Sequence, residues 1–71
     1  MKKAIRTILK ILVARGDFET LQEAFDAHRE DFVEMRDLIA EGDCHEAEEL
    51  FGDVFGLEPD FFEPFVFAML L

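Results

Sequence analysis

The chain has 71 residues, which allow one small helical domain, 1–71, close to the lower size limit for a self-supporting core. Hydrophobic residues make up 51%, nine of them Phe, and this composition excludes a disordered acidic tail. The formal net charge is −10. The chain has a single Cys, which excludes an internal disulfide. No apolar stretch reaches the roughly 20 residues that a membrane span needs. We therefore expect a cytoplasmic protein with no membrane contact.

The first segment predicts an amphipathic helix. Its apolar residues recur at i, i+3, i+4 and i+7, and they are Ile5, Ile8, Leu9 and Leu12. The opposite face is cationic and carries Lys2, Lys3, Arg6 and Lys10. Gly16 provides the C-terminal stop.

Residues 17 to 41 contain no Gly or Pro and predict one long helix of about 20 residues or more. Thr20 and Glu23 have the spacing of a capping box near its start, with Asp17 as an alternative cap. The inward positions alternate in steps of three and four, a period of 3.5: Phe18, Leu21, Phe25, His28, Phe32, Met35 and Ile39.

A further helix is predicted after Gly42, with Asp43 and Glu46 as its capping box. Gly56 ends it. Its apolar face consists of Ala47, Leu50, Phe51, Val54 and Phe55.

The last segment, residues 60 to 71, repeats the capping spacing with Asp60 and Glu63, and Pro64 is expected to bend or restart its helix. Apolar residues cover every side, which predicts central burial or a homodimer contact through Phe61 to Leu71. The fold class is therefore all-α, a small bundle of four helices, or five if Pro64 divides the last one, around a Phe-rich core.

A short pattern recurs after 26 residues, from Leu12 to Asp17 and again from Leu38 to Asp43, and Phe25 matches Phe51 in the same register. Two interpretations remain open: a duplicated helical hairpin, or one kind of Gly-Asp helix junction used twice. Arg15-Gly16-Asp17 has the sequence of the integrin-recognition tripeptide, but on either interpretation it is expected to be a helix junction.

Charge is strongly segregated along the chain. All 17 acidic residues follow Gly16, where only Arg29 and Arg36 oppose them, so this part carries −15, whereas the segment before Gly16 carries +5. Like charges repel in a compact fold, so this composition indicates a function other than stability. Lys2 and Lys3 are expected to neutralise the acidic part across the fold, with contact to an anionic membrane or nucleic acid as the alternative.

The predicted partner-binding residues are carboxylates. On the long helix they occur once per turn over about 33 Å, close to the ~34 Å of one DNA turn, and a solvated helix face normally mixes both signs. These residues are Glu19, Glu23, Asp26, Glu30, Glu34, Asp37 and Glu41, followed on the next helix by Glu46, Glu48, Glu49 and Asp53. The alternative interpretation is an ordinary solvent-facing surface.

Catalytic and metal motifs do not stand out. Cys44, His45 and His28 are too few for a zinc site, and no phosphate loop or nucleophile with a paired base is visible. The sequence therefore predicts no enzyme activity, no cofactor and no metal.

In size, acidity and lack of catalytic motifs the whole chain resembles the small inhibitor proteins of phages and mobile elements of the anti-CRISPR and anti-restriction type, several of which imitate DNA. The resemblance is one of overall character. It implies an inhibitor whose acidic face occupies a basic, nucleic-acid-binding surface of a host defence protein, without binding nucleic acid itself. The alternative is an adaptor or self-associating module of helical hairpins that binds through the apolar C-terminal surface.

Overall fold

The computed structural model describes residues 3–70, so the predictions made for Lys2 and Leu71 lie outside the described residues. This part of the chain forms five α-helices and no strand, which confirms the predicted all-α bundle. The helices are α1 (Lys3–Ala14), α2 (Leu21–Ala27), α3 (Arg29–Ala40), α4 (Cys44–Phe55) and α5 (Phe62–Leu70), with a 3-10 turn at Pro59–Phe61 before α5.

The core is rich in phenylalanine, as predicted. Phe65 is at its centre, with ring centroids 6.0 Å from Phe32, 5.3 Å from Phe51 and 6.2 Å from Phe62. Phe55 completes the cluster, 5.1 Å from Phe51 and 5.4 Å from Phe32. The aliphatic part of the core comes from the predicted inner faces and from Ala24, which the predicted pattern did not include. The residues from the predicted faces are Ile8, Leu9, Leu12, Met35, Ile39 and Ala47.

The prediction of one long helix is wrong. It ends at Ala27 and restarts at Arg29, because His28 leaves the helical conformation with φ −107° and ψ 12°. The amide of His28 is shared between the carbonyls of Ala24 and Phe25, both at 3.2 Å. The imidazole packs at 5.5 Å from the ring of Phe18 and 5.1 Å from that of Phe55.

Packing explains the break. A straight helix from Leu21 to Ala40 would be about 30 Å long, nearly the 34 Å length of the whole molecule. By turning at His28, α2 packs on α1 while α3 packs on α4 and α5. The periodicity nevertheless identified the inward residues, since each member of the 3.5-residue pattern is buried or half-buried.

The recurring Gly-Asp pattern forms the same structure twice. At the end of α1 the amide of Asp17 donates to the carbonyl of Leu12, and at the end of α3 the amide of Asp43 donates to that of Leu38. The glycine before each Asp has a left-handed φ, +85° and +86°, as a Schellman motif requires. The bounds of α1 and α3 are also 26 residues apart, whereas their buried positions differ. The shared feature is therefore the junction and the helix length, and the inner faces are not repeated.

The predicted N-caps differ in outcome. The hydroxyl of Thr20 accepts a hydrogen bond from the amide of Glu23 at 3.1 Å, so Thr20 is the cap and Asp17 is not. Asp43 occupies the N-cap position of α4, but its side chain makes no capping hydrogen bond. Asp60 lies within the 3-10 turn and does not cap α5.

Pro64 does not divide the last helix into two, which was one of the predicted outcomes. It is the third residue of α5, which runs without interruption from Phe62 to Leu70. The first-turn amides of a helix have no intrahelical acceptor, so a proline there removes no hydrogen bond. The fifth helix of the bundle therefore arises from the break at His28.

Of the two alternatives predicted for the C-terminal segment, central burial holds for one face only, and the homodimer contact stays a prediction. Phe62 and Phe65 are buried, and Val66 and Met69 pack against the core. Phe67 and Leu70 are 60% and 62% exposed on the other side of α5.

We predict that Phe65→Ala lowers the free energy of unfolding by about 3–5 kcal/mol, because it removes a buried ring and leaves a cavity. Phe67→Ala makes the same chemical change at an exposed position and should cost less than about 1 kcal/mol. Urea denaturation followed by circular dichroism measures both. Equal losses in the two variants would show that the face of α5 carrying Phe67 is also covered.

Candidate interaction surfaces

All eleven carboxylates predicted to bind a partner are exposed in the structure. Because the long helix is broken at His28, they do not form one continuous 33 Å row, and this part of the prediction is wrong. Glu19 precedes α2, and Glu23 and Asp26 belong to that short helix. The remaining eight belong to the hairpin of α3 and α4: Glu30, Glu34, Asp37, Glu41, Glu46, Glu48, Glu49 and Asp53.

Two acidic rows run along this hairpin. The α3 acidic row consists of Glu30, Glu34, Asp37 and Glu41, and the α4 acidic row consists of Glu46, Glu49 and Asp53. Within each row the spacing is three or four residues, which places the side chains on one face of the helix. Glu48 lies outside the α4 row because it is two residues from Glu46.

Glu34 of the α3 acidic row and all three residues of the α4 acidic row line a shallow groove of about 230 Å³ between the two helices. Carboxylates line it from both sides, and two half-buried leucines form its floor. We call this the acidic groove, and its residues are Glu34, Leu38, Glu46, Glu49, Leu50 and Asp53. It offers negative charge and a small apolar surface together.

The crowding of carboxylates at one end of the groove raises the pKa of Glu46 above its ordinary value. A hydrogen bond with Asp43, which requires one proton between the two carboxyls, is the first cause that raises the pKa of Glu46. The negative charge of Asp43 is the second, and Glu49 and Glu34 add smaller repulsions. The carboxylates of the groove therefore repel one another in the folded protein.

Few of the carboxylates have a cationic partner within the described chain. Arg29 pairs with Asp26 at 2.8 Å, Arg36 approaches Asp37 at 3.4 Å, and His45 lies 3.3 Å from Glu49. These contacts are exposed, so they contribute little to stability. The other eight predicted partner-binding carboxylates make no ion pair within the described chain: Glu19, Glu23, Glu30, Glu34, Glu41, Glu46, Glu48 and Asp53.

The cationic face of α1 is also largely unpaired. Lys3, Arg6 and Lys10 are exposed and make no ion pair with any described carboxylate, so Lys3 does not make the predicted neutralisation across the fold through a direct contact. We call these three side chains the cationic row. Lys2, which belongs to the same prediction, lies outside the described residues.

Arg15 is the exception among the N-terminal cations. Its guanidinium binds the carboxylate of Asp17 at 2.6 and 3.0 Å and donates to the carbonyl of Phe55 at 2.7 Å. Phe55 is the last residue of α4, so the cation is at the negative end of that helix dipole. Arg15-Gly16-Asp17 is therefore a helix junction with a structural arginine.

A second surface lies beside the cationic row. A cleft of about 490 Å³ separates α1 from the start of α5, and apolar side chains form most of its wall. We call it the apolar cleft, and its residues are Lys3, Ala4, Thr7, Ile8, Asp60, Phe61 and Pro64. Phe61 is 37% exposed there.

Sequence reasoning missed both the acidic groove and the apolar cleft, because each is formed by two helices whose contact the periodicity does not specify. Leu38 was a visible signal, since it is apolar yet lies outside the 3.5-residue pattern of its helix. Among residues 3–70, no group of three His, Cys, Asp or Glu side chains is arranged to hold a metal ion, and Cys44 is an exposed free thiol. Within the same range no helix has the length and apolar character needed to cross a bilayer.

Comparison with known protein families, curated protein sequences and solved structures finds no match to this chain.

We predict that Glu46→Gln raises the melting temperature at pH 7, because it removes a carboxylate that Asp43 and its neighbours repel. A carboxyl whose pKa is raised by folding gives stability that is present below its ordinary value of 4.5 and is lost as the pH rises through the raised value. The parent should therefore gain stability as the pH falls from 7 to 4.5, and Glu46→Gln should gain less. Thermal melts at both pH values measure the difference, with Glu48→Gln as the control on the same helix. A parallel pH response in the parent and Glu46→Gln would contradict the role of Glu46.

Proposed function

We propose that this chain is a non-enzymatic, cytoplasmic inhibitor that occupies a basic, nucleic-acid-binding surface of another protein, in the manner of the DNA-mimic proteins of phages. The observation that carries the proposal is the pair of exposed acidic rows that converge on the acidic groove. Two rows of negative charge offer a basic surface the kind of ligand that nucleic-acid phosphates offer. The partner-binding residues are the eleven exposed carboxylates, with the groove at their centre.

The placement of charge within the helices supports this proposal. None of the five helices has a basic residue in its last turn, where cations would stabilise it. Instead, Glu41 is the C-cap of α3 and Lys3 is the first residue of α1, which are unfavourable positions for those charges. Selection for helix stability alone does not produce this arrangement, whereas selection for binding an oppositely charged surface does.

The leucine floor of the groove supports a protein partner. Lysine and arginine side chains carry apolar stems below their charged ends. Leu38 and Leu50 can pack against such stems while the surrounding carboxylates pair with the charges. Both leucines are only half-buried in the free protein, so part of their surface is available for such contacts.

Competition with DNA tests the proposal. Bacterial DNA-binding proteins are bound to DNA-cellulose at about 0.1 M salt, and the column is then washed with this protein. We expect specific basic proteins to be displaced at protein concentrations that leave the ionic strength unchanged. Mass spectrometry identifies them, and purified candidates are then tested for displacement one at a time.

Two variants with equal charge loss locate the surface. The groove variant combines Glu34→Gln, Glu49→Gln and Asp53→Asn, and the control variant combines Glu58→Gln, Asp60→Asn and Glu63→Gln, which are exposed and lie outside the eleven predicted residues. We expect the groove variant to lose displacement and the control to keep it, because close charge pairs anchor a complex and distant charges mainly steer it. Equal loss in both would show a general effect of net charge, and no displacement by the parent would refute the proposal.

A second candidate function rests on the exposure of Phe67 and Leu70. An adaptor or self-associating module would use this face of α5 to bind an apolar segment. Phe67→Ser with Leu70→Ser should then abolish binding without unfolding the chain. Salt separates the two functions, because binding through the acidic rows weakens as ionic strength rises and binding through α5 does not.

A further inference from the structure

The exposed face of α1 has no partner within the described chain, although it combines charge with apolar surface. Its cationic row consists of Lys3, Arg6 and Lys10, and Lys3 also lines the apolar cleft. A face with both features can bind a surface of opposite charge that includes apolar side chains. Such a surface occurs on this same molecule.

The spacing of the charges matches between the two surfaces. The cationic row has the spacing i, i+3, i+7, and so does the α4 acidic row of Glu46, Glu49 and Asp53. On an α-helix this spacing extends about 10 Å and places three side chains on one face. Two helices with the same spacing and opposite charges can therefore pair along their lengths, cation against carboxylate.

Apolar surface accompanies charge on both sides. Phe61 and Pro64 lie in the apolar cleft beside α1, and Leu38 and Leu50 form the floor beside α4. Exposed ion pairs alone contribute little to association, so this apolar surface is needed for a stable complex. Within the protein, α1 packs on α2 and α5, whereas α4 packs on α3 and, through Phe51, on α5. The charged faces of α1 and α4 are exposed to solvent.

We infer that the occupant of this face is a second copy of the same chain, with α1 of one protomer lying along the acidic groove of the other. The inference goes beyond the proposed function, because it concerns association of the protein with itself. It has one consequence for that function: a basic partner and a second copy compete for the same groove. Self-association would then keep the groove covered until a partner displaces α1.

Net charge gives this association a distinctive dependence on salt. Each copy carries −10, so two copies repel each other at long range. Dissolved salt screens the interaction between charges that are more than about 30 Å apart at 0.01 M, about 8 Å apart at 0.15 M and about 3 Å apart at 1 M. We therefore expect monomers at the lowest salt, the most dimer near 0.15 M, and dissociation again at 1 M as the paired rows are screened.

Sedimentation velocity of the full chain measures the association over this range of salt. The cation-swap variant combines Lys3→Glu, Arg6→Glu and Lys10→Glu, and the acid-swap variant combines Glu46→Lys, Glu49→Lys and Asp53→Lys. Each variant alone should have a dimer Kd raised about tenfold or more, because like charges then face each other. An equimolar mixture of the two should associate again, since every row then meets a row of opposite sign.

The control is Glu19→Lys with Glu23→Lys and Glu58→Lys, which changes the net charge as much as the acid swap but lies outside the groove. It should dimerise at least as well as the parent, and circular dichroism confirms that each variant is folded. A parent that stays monomeric at 0.5 mM and every salt concentration would overturn the inference. So would a dimer that survives both swaps and is lost in Phe67→Ser with Leu70→Ser. The swap mixture contains no basic partner, so its outcome is independent of the DNA-displacement test.

Discussion

The structure depends on the contact of Phe65 with the rings around it. Phe65 belongs to α5 and touches Phe32 of α3 and Phe51 of α4, so one side chain joins three helices. In a domain of this size a few large buried rings must supply much of the apolar burial, because the ratio of surface to volume is unfavourable. The position of α5, and with it the apolar cleft, follows from this contact.

A core of this kind leaves the surface free for other uses. No polar or charged residue is buried within residues 3–70, so the core requires no ion pair for its formation. The free energy of folding comes from apolar packing, and repulsion among surface carboxylates subtracts from it. The protein can therefore carry charges at positions that weaken its helices, such as Glu41 at the end of α3, and keep them available for binding.

The sequence was sufficient for the helices and their inner faces, because periodicity reports which residues point the same way. It failed at His28, where the pattern continues through the break without a Gly or Pro. Tertiary contact decides that break, since the imidazole packs between Phe18 and Phe55, residues that are distant in sequence. It failed at Pro64 for another reason: the start of α5 depends on the preceding 3-10 turn. The eleven carboxylates could be chosen from the sequence, but the groove could not, because it requires the pairing of α3 with α4.

The location of the aromatic cluster also bears on the order of folding. Its rings lie between residues 32 and 65, on three successive helices joined by short connections. Closing these loops costs less conformational entropy than joining Ile8 of α1 to α5 across most of the chain. The hairpin of α3 and α4 with α5 can thus form a nucleus on which α1 and α2 dock later. The helix that carries the cationic row would then be the last to be fixed, and the bond from Arg15 to the end of α4 would mark the completion of the fold.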